Sequence, residues 1–148
     1  MNTDGLQLAQ ALLEQHRVLT LATLRPDGWP QATTLAFAHD GLTLYATTHA
    51  TAQKVGNIRH DRRVSVTVDH DEPDLSRLQG LSMAAHAEVL TSPARIEHGY
   101  ACLAHRFPWV GGMTAEVREH MVVIEIRPRV LSVIDYTRGF GHTDLIEL

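Results

Sequence analysis

Residues 42–58 have the sequence LTLYATTHATAQKVGNI. Apolar and polar residues alternate over 42–47, which predicts a β-strand, and Thr51 is a suitable N-cap for a helix over 52–59. Hydroxyl groups, the N–H groups of a helix N-terminus and the ammonium group of Lys54 all donate towards negative charge. The stretch therefore predicts a strand, a turn and a helix that together bind an anion such as a cofactor phosphate. The alternative is a capped surface helix with a solvated lysine, and no GxxxxGK[ST] phosphate loop occurs anywhere in the chain.

The sequence before this stretch predicts antiparallel strands. Residues 18–24 are β-branched and alternating, and Asp27-Gly28 provides a tight turn into a second strand over 29–39. Asp40-Gly41 then predicts a hairpin, because both central positions of a type I′ turn need a positive φ. Three consecutive strands joined in this way predict a meander.

The remaining sequence predicts four more strands and two more helices. The strands are expected at 64–68, 78–89, 121–127 and 130–136, and the helices at 3–16 and from Ser92-Pro93 to Phe107. Residues 109–112 are expected to form a flexible loop and 137–142 an irregular tail. Short strands with hairpin turns favour an antiparallel barrel over a Rossmann layout. The predicted fold is mainly β (α+β), with about six to seven strands, flanking helices and one domain over 1–148.

Composition excludes several classes of protein. The chain has 148 residues and a formal net charge of −4, which argues against general attraction to nucleic acid. No apolar run approaches the roughly 20 residues that span a bilayer, and the polar, acidic N-terminus does not resemble a secretion signal. Cys102 is the only cysteine, so no intrachain disulfide can form. The expected location is the cytoplasm.

The sequence carries no strong signature of a metal site or of a nucleophile. Ten histidines are present, but neither HExxH nor a Cys/His knuckle occurs, so no metal site is predicted. Cys102 is expected on the core side of its helix as a small buried residue, with no base near it. Trp109, in a glycine-flanked segment, is expected to cover a ligand, a subunit partner or the core.

An ordered series of short motifs resembles the pyridoxamine 5′-phosphate oxidase-like family of FMN-binding split β-barrels. The similarity extends from about Val18 to Tyr136. Its motifs are residues 18–24, Pro26-Asp27-Gly28, Pro30-Gln31-Ala32-Thr33-Thr34, Asp40-Gly41, Leu44-Tyr45, Lys54-Val55-x-x-Ile58, Asp61-x-Arg63-Val64-Ser65-Val66, Gln79-Gly80, Phe107-Pro108 and Ile126-x-Pro128-x-Val130.

This resemblance implies a homodimer that binds FMN in grooves at the subunit interface and acts on a small redox substrate. Carried over by position, one strand would lie along the flavin, a turn and a helix would contact the phosphate and ribityl chain, and one glutamine would reach the ring edge. These residues are, in that order, Thr33, Thr34 and Leu35; Thr47, Thr48 and Lys54; and Gln79. A lysine in this place would stabilise the phosphate or the anionic reduced flavin.

Departures from the family pattern argue against true pyridoxamine phosphate oxidase activity. Ala32 and Phe37 stand where the oxidase has basic residues, and Arg138 and His142 have the wrong spacing for its substrate-gripping Arg-x-His. A deazaflavin or a heme are alternative cofactors, and His142 could be an axial heme ligand. A flavin sensor or storage module without catalytic activity is a further alternative.

Overall fold

The computed structural model describes residues 3–148, which contain eight strands and five helices. The strands are β1 Val18–Leu24, β2 Pro30–Ala36, β3 Ala38–Asp40, β4 Thr43–His49, β5 Arg63–Val68, β6 Gln79–Val89, β7 Met121–Asp135 and β8 Thr143–Glu147. The helices are α1 Thr3–Gln15, α2 Gln53–His60, α3 Pro93–Arg106, α4 Pro108–Gly111 and α5 Ala115–Arg118. Two short 3₁₀ turns cover Leu75–Arg77 and Tyr136–Arg138.

All strands belong to one curled antiparallel sheet, which confirms the predicted mainly-β split barrel with flanking helices. The strand order is β2-β1-β5-β6-β7-β4-β3. β4 pairs with residues 121–126 of β7, and β8 pairs with residues 130–134 of the same strand. Aliphatic side chains from the inner face of the sheet, with those of α1 and α2, form the main core. No helix of residues 3–148 is long and apolar enough to cross a bilayer.

The predicted meander is wrong, because the second predicted strand is divided at Phe37. Its first part pairs with β1 and its second part pairs with β4, so the two hairpins lie at opposite ends of the sheet. The side chain of Phe37 is fully buried, and its N–H donates to the carbonyl of Arg17. Burial of this ring fixes the point where the chain changes partners. The barrel is open between β2 and β4, which approach each other without pairing, and this opening is called the split below.

The two predicted C-terminal strands form the single strand β7, which is bulged where a break was expected. Ala85 pairs with Pro128 and Ala84 with Val130, so Arg129 is an extra residue without a partner in the ladder. Proline can be accommodated here because a bulge interrupts the hydrogen-bond ladder. The core-facing residues of β7 therefore change from even to odd numbers: Ile124 and Ile126 before the bulge, Leu131 and Val133 after it.

Three smaller expectations also differ from the structure. The N-cap of α2 is Ala52, without a side-chain cap, and Thr51 lies exposed one residue earlier. Residues 109–112 are not a flexible loop, since Pro108 begins the short helix α4. The irregular tail at 137–142 is followed by an unexpected strand, β8, which pairs with residues 130–134 of β7.

Helix α2 is attached to the barrel by a buried polar residue. Asn57 is fully buried, and its amide donates to Thr23 Oγ1 at 3.0 Å and to Gln31 Oε1 at 3.2 Å. The side-chain oxygen of Asn57 accepts a hydrogen bond from the side-chain amide of Gln53 at 2.8 Å. The bonds to Thr23 and Gln31 fix the position of α2 against β1 and β2, because an unsatisfied amide at this depth would cost about 1–3 kcal/mol.

Two helix glycines allow a matched stability test. A Cβ at Gly99 of α3 would lie 2.7 Å from Val123 Cγ1 and 3.2 Å from the Tyr45 ring, whereas a Cβ at Gly56 of α2 meets nothing within 4 Å. We expect Gly56→Ala to raise the free energy of unfolding by roughly 0.5–1 kcal/mol. Gly99→Ala should lower it, because overpacking costs about 1–3 kcal/mol and outweighs the gain in helix propensity. Urea denaturation of both variants measures the difference, and equal changes in the two would contradict this packing.

Candidate functional site

Six of the seven residues predicted to bind the cofactor lie around the split in the barrel. Thr33, Thr34 and Leu35 are on β2, Thr47 and Thr48 are on β4, and Lys54 is on α2. β2 approaches β4 at the split, and α2 packs against β1, the neighbour of β2. The structure therefore places these six residues on adjoining elements, where the two ends of the curled sheet approach each other.

Strand alternation directs the three β2 side chains to different sides of the sheet. Thr33 pairs with the fully buried Leu21 and shares its core-facing side, and Leu35 is also buried there. Thr34 points the other way and is exposed. Among residues 3–148, the buried Thr33 Oγ1 has no hydrogen-bond partner. Since an unpaired buried hydroxyl is costly, this atom is suited to meet a polar group that enters the split.

The two β4 threonines differ in what they can offer to a ligand. The Thr47 hydroxyl donates to the carbonyl of Val122 at 2.9 Å, so its hydrogen is already engaged. Thr48 is half-buried and forms no side-chain hydrogen bond with any residue of the described chain. Thr48 can therefore donate to an anion without breaking an existing bond, whereas Thr47 cannot.

Lys54 is the only lysine in the sequence and lies in the first turn of α2. Its side chain is half-buried, and within residues 3–148 it takes part in no ion pair. The first turn of a helix favours negative charge, which an unpaired ammonium group reinforces. Lys54 and Thr48 are both without a competing partner within residues 3–148, and each is a donor suited to a phosphate group.

Gln79 does not join this group within one chain. Gln79 pairs with Asp135, whereas Thr47 pairs with Val123, and these two partners are 12 residues apart on β7. That separation corresponds to about 40 Å along the strand. The Gln79 side chain instead donates to Asp135 at 3.3 Å. Burial acts to raise the pKa of Asp135, but hydrogen bonds from Thr137 and Gln79 outweigh it, and the pKa lies below its usual value.

Two adjoining grooves on the outside of the barrel were not anticipated from the sequence. The first, called the arginine groove below, has a volume of about 590 Å³ and lies between α2 and the β6–β7 pair. It is lined by four arginines: Arg59, Arg62, Arg127 and Arg129. The second has about 500 Å³ and lies on the outer face of β1, β5 and β6. The grooves share His86 and Arg129, and none of the seven predicted residues lines either of them.

A buried carboxylate neutralises part of the arginine groove. Glu125 accepts hydrogen bonds from Arg95 at 2.9 Å, from Arg127 at 2.7 Å and from the Tyr45 hydroxyl at 3.2 Å. Burial, together with the charge of Glu125, raises the pKa of Tyr45 to about 12, so this phenol stays protonated at neutral pH.

Three arginines of the first groove keep their charge unpaired. Arg59, Arg62 and Arg129 are exposed, and within the described chain they form no ion pair. The groove is therefore positively charged and suited to an anionic small molecule. Arg129 enters it through the β7 bulge, whose only sequence signal is the Arg127-Pro128-Arg129 motif.

A second cluster corrects the expectation that Cys102 has no base near it. Cys102 Sγ lies 3.7 Å from His98 Nε2, which lies 3.0 Å from Asp40 Oδ2. The thiol is half-buried against a second, smaller core that includes Tyr45, Leu103 and Val123, so it lies on the core side of α3 as predicted. Burial, with the charge of Asp40, raises the pKa of Cys102, so the thiol form prevails at neutral pH.

Comparison with known proteins agrees with this architecture. A protein from Listeria innocua, assigned provisionally as a pyridoxamine 5′-phosphate oxidase, is 26% identical, with coverage of 87% of this chain and 97% of that one and a TM-score of 0.71. A conserved hypothetical protein from Mycobacterium tuberculosis is 28% identical, with coverage of 97% and 91% and a TM-score of 0.75. A heme binding protein from Mycobacterium smegmatis is 19% identical with a TM-score of 0.83; the match covers 99% of this chain and 59% of that one.

The family assignment rests on the sequence as well as on the fold. No curated protein matches the chain. The profile of the pyridoxamine 5′-phosphate oxidase family, however, matches residues 7–135, which include every strand from β1 to β7 and the helices between them. The chain belongs to the pyridoxamine 5′-phosphate oxidase family.

Proposed function

We propose that this protein is a small FMN-binding oxidoreductase that works as a homodimer and transfers hydride between an unidentified donor and acceptor. The observation that carries the proposal is Lys54, an unpaired cation in the first turn of a helix at the split of a barrel of this family. Family membership supports a flavin or heme cofactor, and the donor set at the split favours the phosphate of FMN.

The residues around the split would bind and shield the cofactor. Lys54 and Thr48 would hold the phosphate by charge and by hydrogen bonding, and Thr33 Oγ1 offers a further polar contact. Leu35, on the same strand as Thr33, presents an apolar side chain that excludes water from the cofactor. When bound, FMN supplies the group that accepts and returns the hydride, and the protein supplies its position and surroundings.

A homodimer is supported by the outer face of β1, β5 and β6. Ala22, Ser65 and Ala84 lie side by side across these strands, and the second groove opens over them. Small side chains let another backbone approach closely, and this face remains open to solvent in a single chain. Within one chain Gln79 lies too far from the split to contact a flavin there. In a dimer, Gln79 of one copy would instead contact the flavin bound by the other copy.

The anionic substrate or electron donor is proposed to bind in the arginine groove. Arg59, Arg62 and Arg129 offer unpaired guanidinium groups there, which suit a phosphate or carboxylate. The arginine groove suits small phosphates and carboxylates as a class and does not select a single compound. A cytoplasmic location, in keeping with the single cysteine, would provide such metabolites.

Heme has less support than FMN, although a related fold belongs to a heme binding protein. At 19% identity that likeness concerns the fold alone. His142, the histidine considered as an axial ligand, is half-buried, and its Nε2 lies 3.3 Å from Asp144 Oδ1. Within residues 3–148 this buried nitrogen forms no hydrogen bond, and a heme iron that bound it would lie next to the Asp144 carboxylate. A deazaflavin would use the same donor set as FMN, and its binding is a variant of the proposal.

A visible absorption spectrum followed by a turnover assay tests the proposal. We expect the protein, as purified or after incubation with FMN, to show the two flavin bands and no heme Soret band. Oxidation of NADH or NADPH should then require the bound flavin and an added electron acceptor. A Soret band without flavin would overturn the cofactor, whereas flavin binding without any turnover would favour a storage or sensor role.

A further inference from the structure

Three different metal-ligating groups meet on the outside of the barrel, in a cluster separate from the split and from the two grooves. Asp40 ends β3, and His98 and Cys102 stand one turn apart on the same face of α3. One carboxylate oxygen of Asp40, one ring nitrogen of His98 and the Cys102 sulfur all lie within 4.8 Å of one another. A thiol, an imidazole and a carboxylate are the three side-chain groups that bind Zn²⁺ in proteins.

The distances match those between ligands of a tetrahedral zinc ion. Bond lengths of about 2.3 Å to sulfur and 2.0–2.1 Å to nitrogen or oxygen place tetrahedral ligand atoms about 3.6 Å apart for S and N and about 3.3 Å apart for N and O. The observed separations are 3.7 Å between Cys102 Sγ and His98 Nε2, and 3.0 Å between that nitrogen and Asp40 Oδ2. A zinc ion therefore requires movements of only a few tenths of an ångström in these two distances. The Asp40 oxygen and the Cys102 sulfur lie within 4.8 Å of each other and would have to reach about 3.6 Å.

The geometry argues against the other reading, a catalytic triad built on Cys102. A triad needs the carboxylate on one ring nitrogen of the histidine and the nucleophile on the other, so that the proton can pass across the ring. Here Asp40 and Cys102 both approach Nε2 of His98. Convergence of three ligand atoms on one point is the arrangement that a metal ion needs.

We propose that Asp40, His98 and Cys102 form a zinc site with one position left open for water. On binding, a Zn–S bond replaces the S–H bond of Cys102 and the proton leaves to solvent, while neutral His98 and ionised Asp40 donate lone pairs. The ion would join α3 to the end of the β3–β4 hairpin. Asp40 and His98 are exposed, so zinc can enter without unfolding.

Metal titration of the chelator-treated full-length protein tests this site. We expect one equivalent of Zn²⁺ per chain by competition with a chromophoric chelator, and one equivalent of Co²⁺ to produce a thiolate-to-cobalt charge-transfer band. Zinc should also protect Cys102, the only thiol, from alkylation by iodoacetamide. Binding of Co²⁺ without the charge-transfer band, or zinc that leaves the alkylation rate unchanged, would overturn the proposal.

Variants assign the ligands. His98→Gln and Asp40→Asn change exposed side chains and should keep the fold, yet each should weaken zinc binding by at least about tenfold, and Cys102→Ser should abolish the charge-transfer band. His105→Ala is the matched control, since His105 is an exposed histidine on the same helix outside the cluster. Equal zinc affinity in His98→Gln and His105→Ala would show that the three residues do not bind the metal.

Discussion

Lys54→Ala is expected to weaken FMN binding by about 10- to 100-fold, since a hydrogen bond to a charged group contributes about 1.5–3 kcal/mol. The effect should be large because, among residues 3–148, Lys54 forms no ion pair that competes with the phosphate. Riboflavin, which lacks the phosphate, should bind the wild type and the variant with similar affinity. Titration of both ligands by quenching of flavin fluorescence measures this difference.

Two further variants control for charge and for shape. Lys54→Arg keeps the positive charge and should recover much of the affinity for FMN. Arg77→Ala removes one positive charge from an exposed position in the 3₁₀ turn before β6, and it should leave FMN binding unchanged. If Arg77→Ala weakened binding as much as Lys54→Ala, overall charge would account for the loss and the phosphate contact would be refuted.

Arg106→Ala is expected to produce the largest loss of stability, about 2–4 kcal/mol in the free energy of unfolding. The Arg106 side chain is only 12% exposed. Its guanidinium donates to the carbonyls of Leu13 and His16 at 2.8 Å each and to the carbonyl of Phe37 at 3.2 Å. The group thereby satisfies the C-terminal carbonyls of α1 and the chain segment at the strand break, which would otherwise be buried without partners.

Chemical denaturation compares Arg106→Ala with two other variants. Arg106→Lys keeps a positive charge but loses the planar fork that reaches several carbonyls, so it should recover only part of the stability. Arg138→Ala removes a half-exposed arginine near the C-terminus and should change the free energy of unfolding by less than about 0.5 kcal/mol. Arg106→Ala with the stability of Arg138→Ala would contradict the proposed role of this side chain.

Local patterns predicted the early strands well. β1 occupies Val18–Leu24 as expected, and Gly28 and Gly41 adopt positive φ in the two predicted turns. The hairpin is not the type I′ turn predicted for Asp40-Gly41, because Asp40 has no positive φ and pairs with Thr43 as the last residue of β3. The strand and the positions of the turns depend on residues that are neighbours in sequence, which propensity and turn chemistry describe directly. The position of Lys54 after a strand and a turn was predictable for the same reason.

Features that depend on distant pairing were not predictable. The strand break at Phe37 follows from burial of its ring and from the separate pairing of β2 with β1 and of β3 with β4. The bulge at Arg129 is defined by register against β6, about 45 residues earlier in the chain. Neither leaves a periodic signal in the local sequence, because both conditions are set by partner strands.

The candidate sites divide in the same way. Six predicted cofactor residues lie on adjoining elements because they are close in sequence or belong to strands that meet at the split. The arginine groove and the cluster around His98 were missed, since each joins residues from separate elements. For the cluster, the His98-x-x-x-Cys102 spacing was a weak signal, and Asp40 lies 58 residues before His98.

Chemical labelling of Lys54 tests the central claim most directly, because the chain has no other lysine. The protein is acylated with an N-hydroxysuccinimide ester in the absence of ligand, with FMN and with riboflavin, and the peptide that contains Lys54 is quantified by mass spectrometry. If the phosphate binds at this ammonium group, FMN should slow acylation of Lys54 strongly and riboflavin should not. Acylation at the same rate with and without saturating FMN would contradict the account.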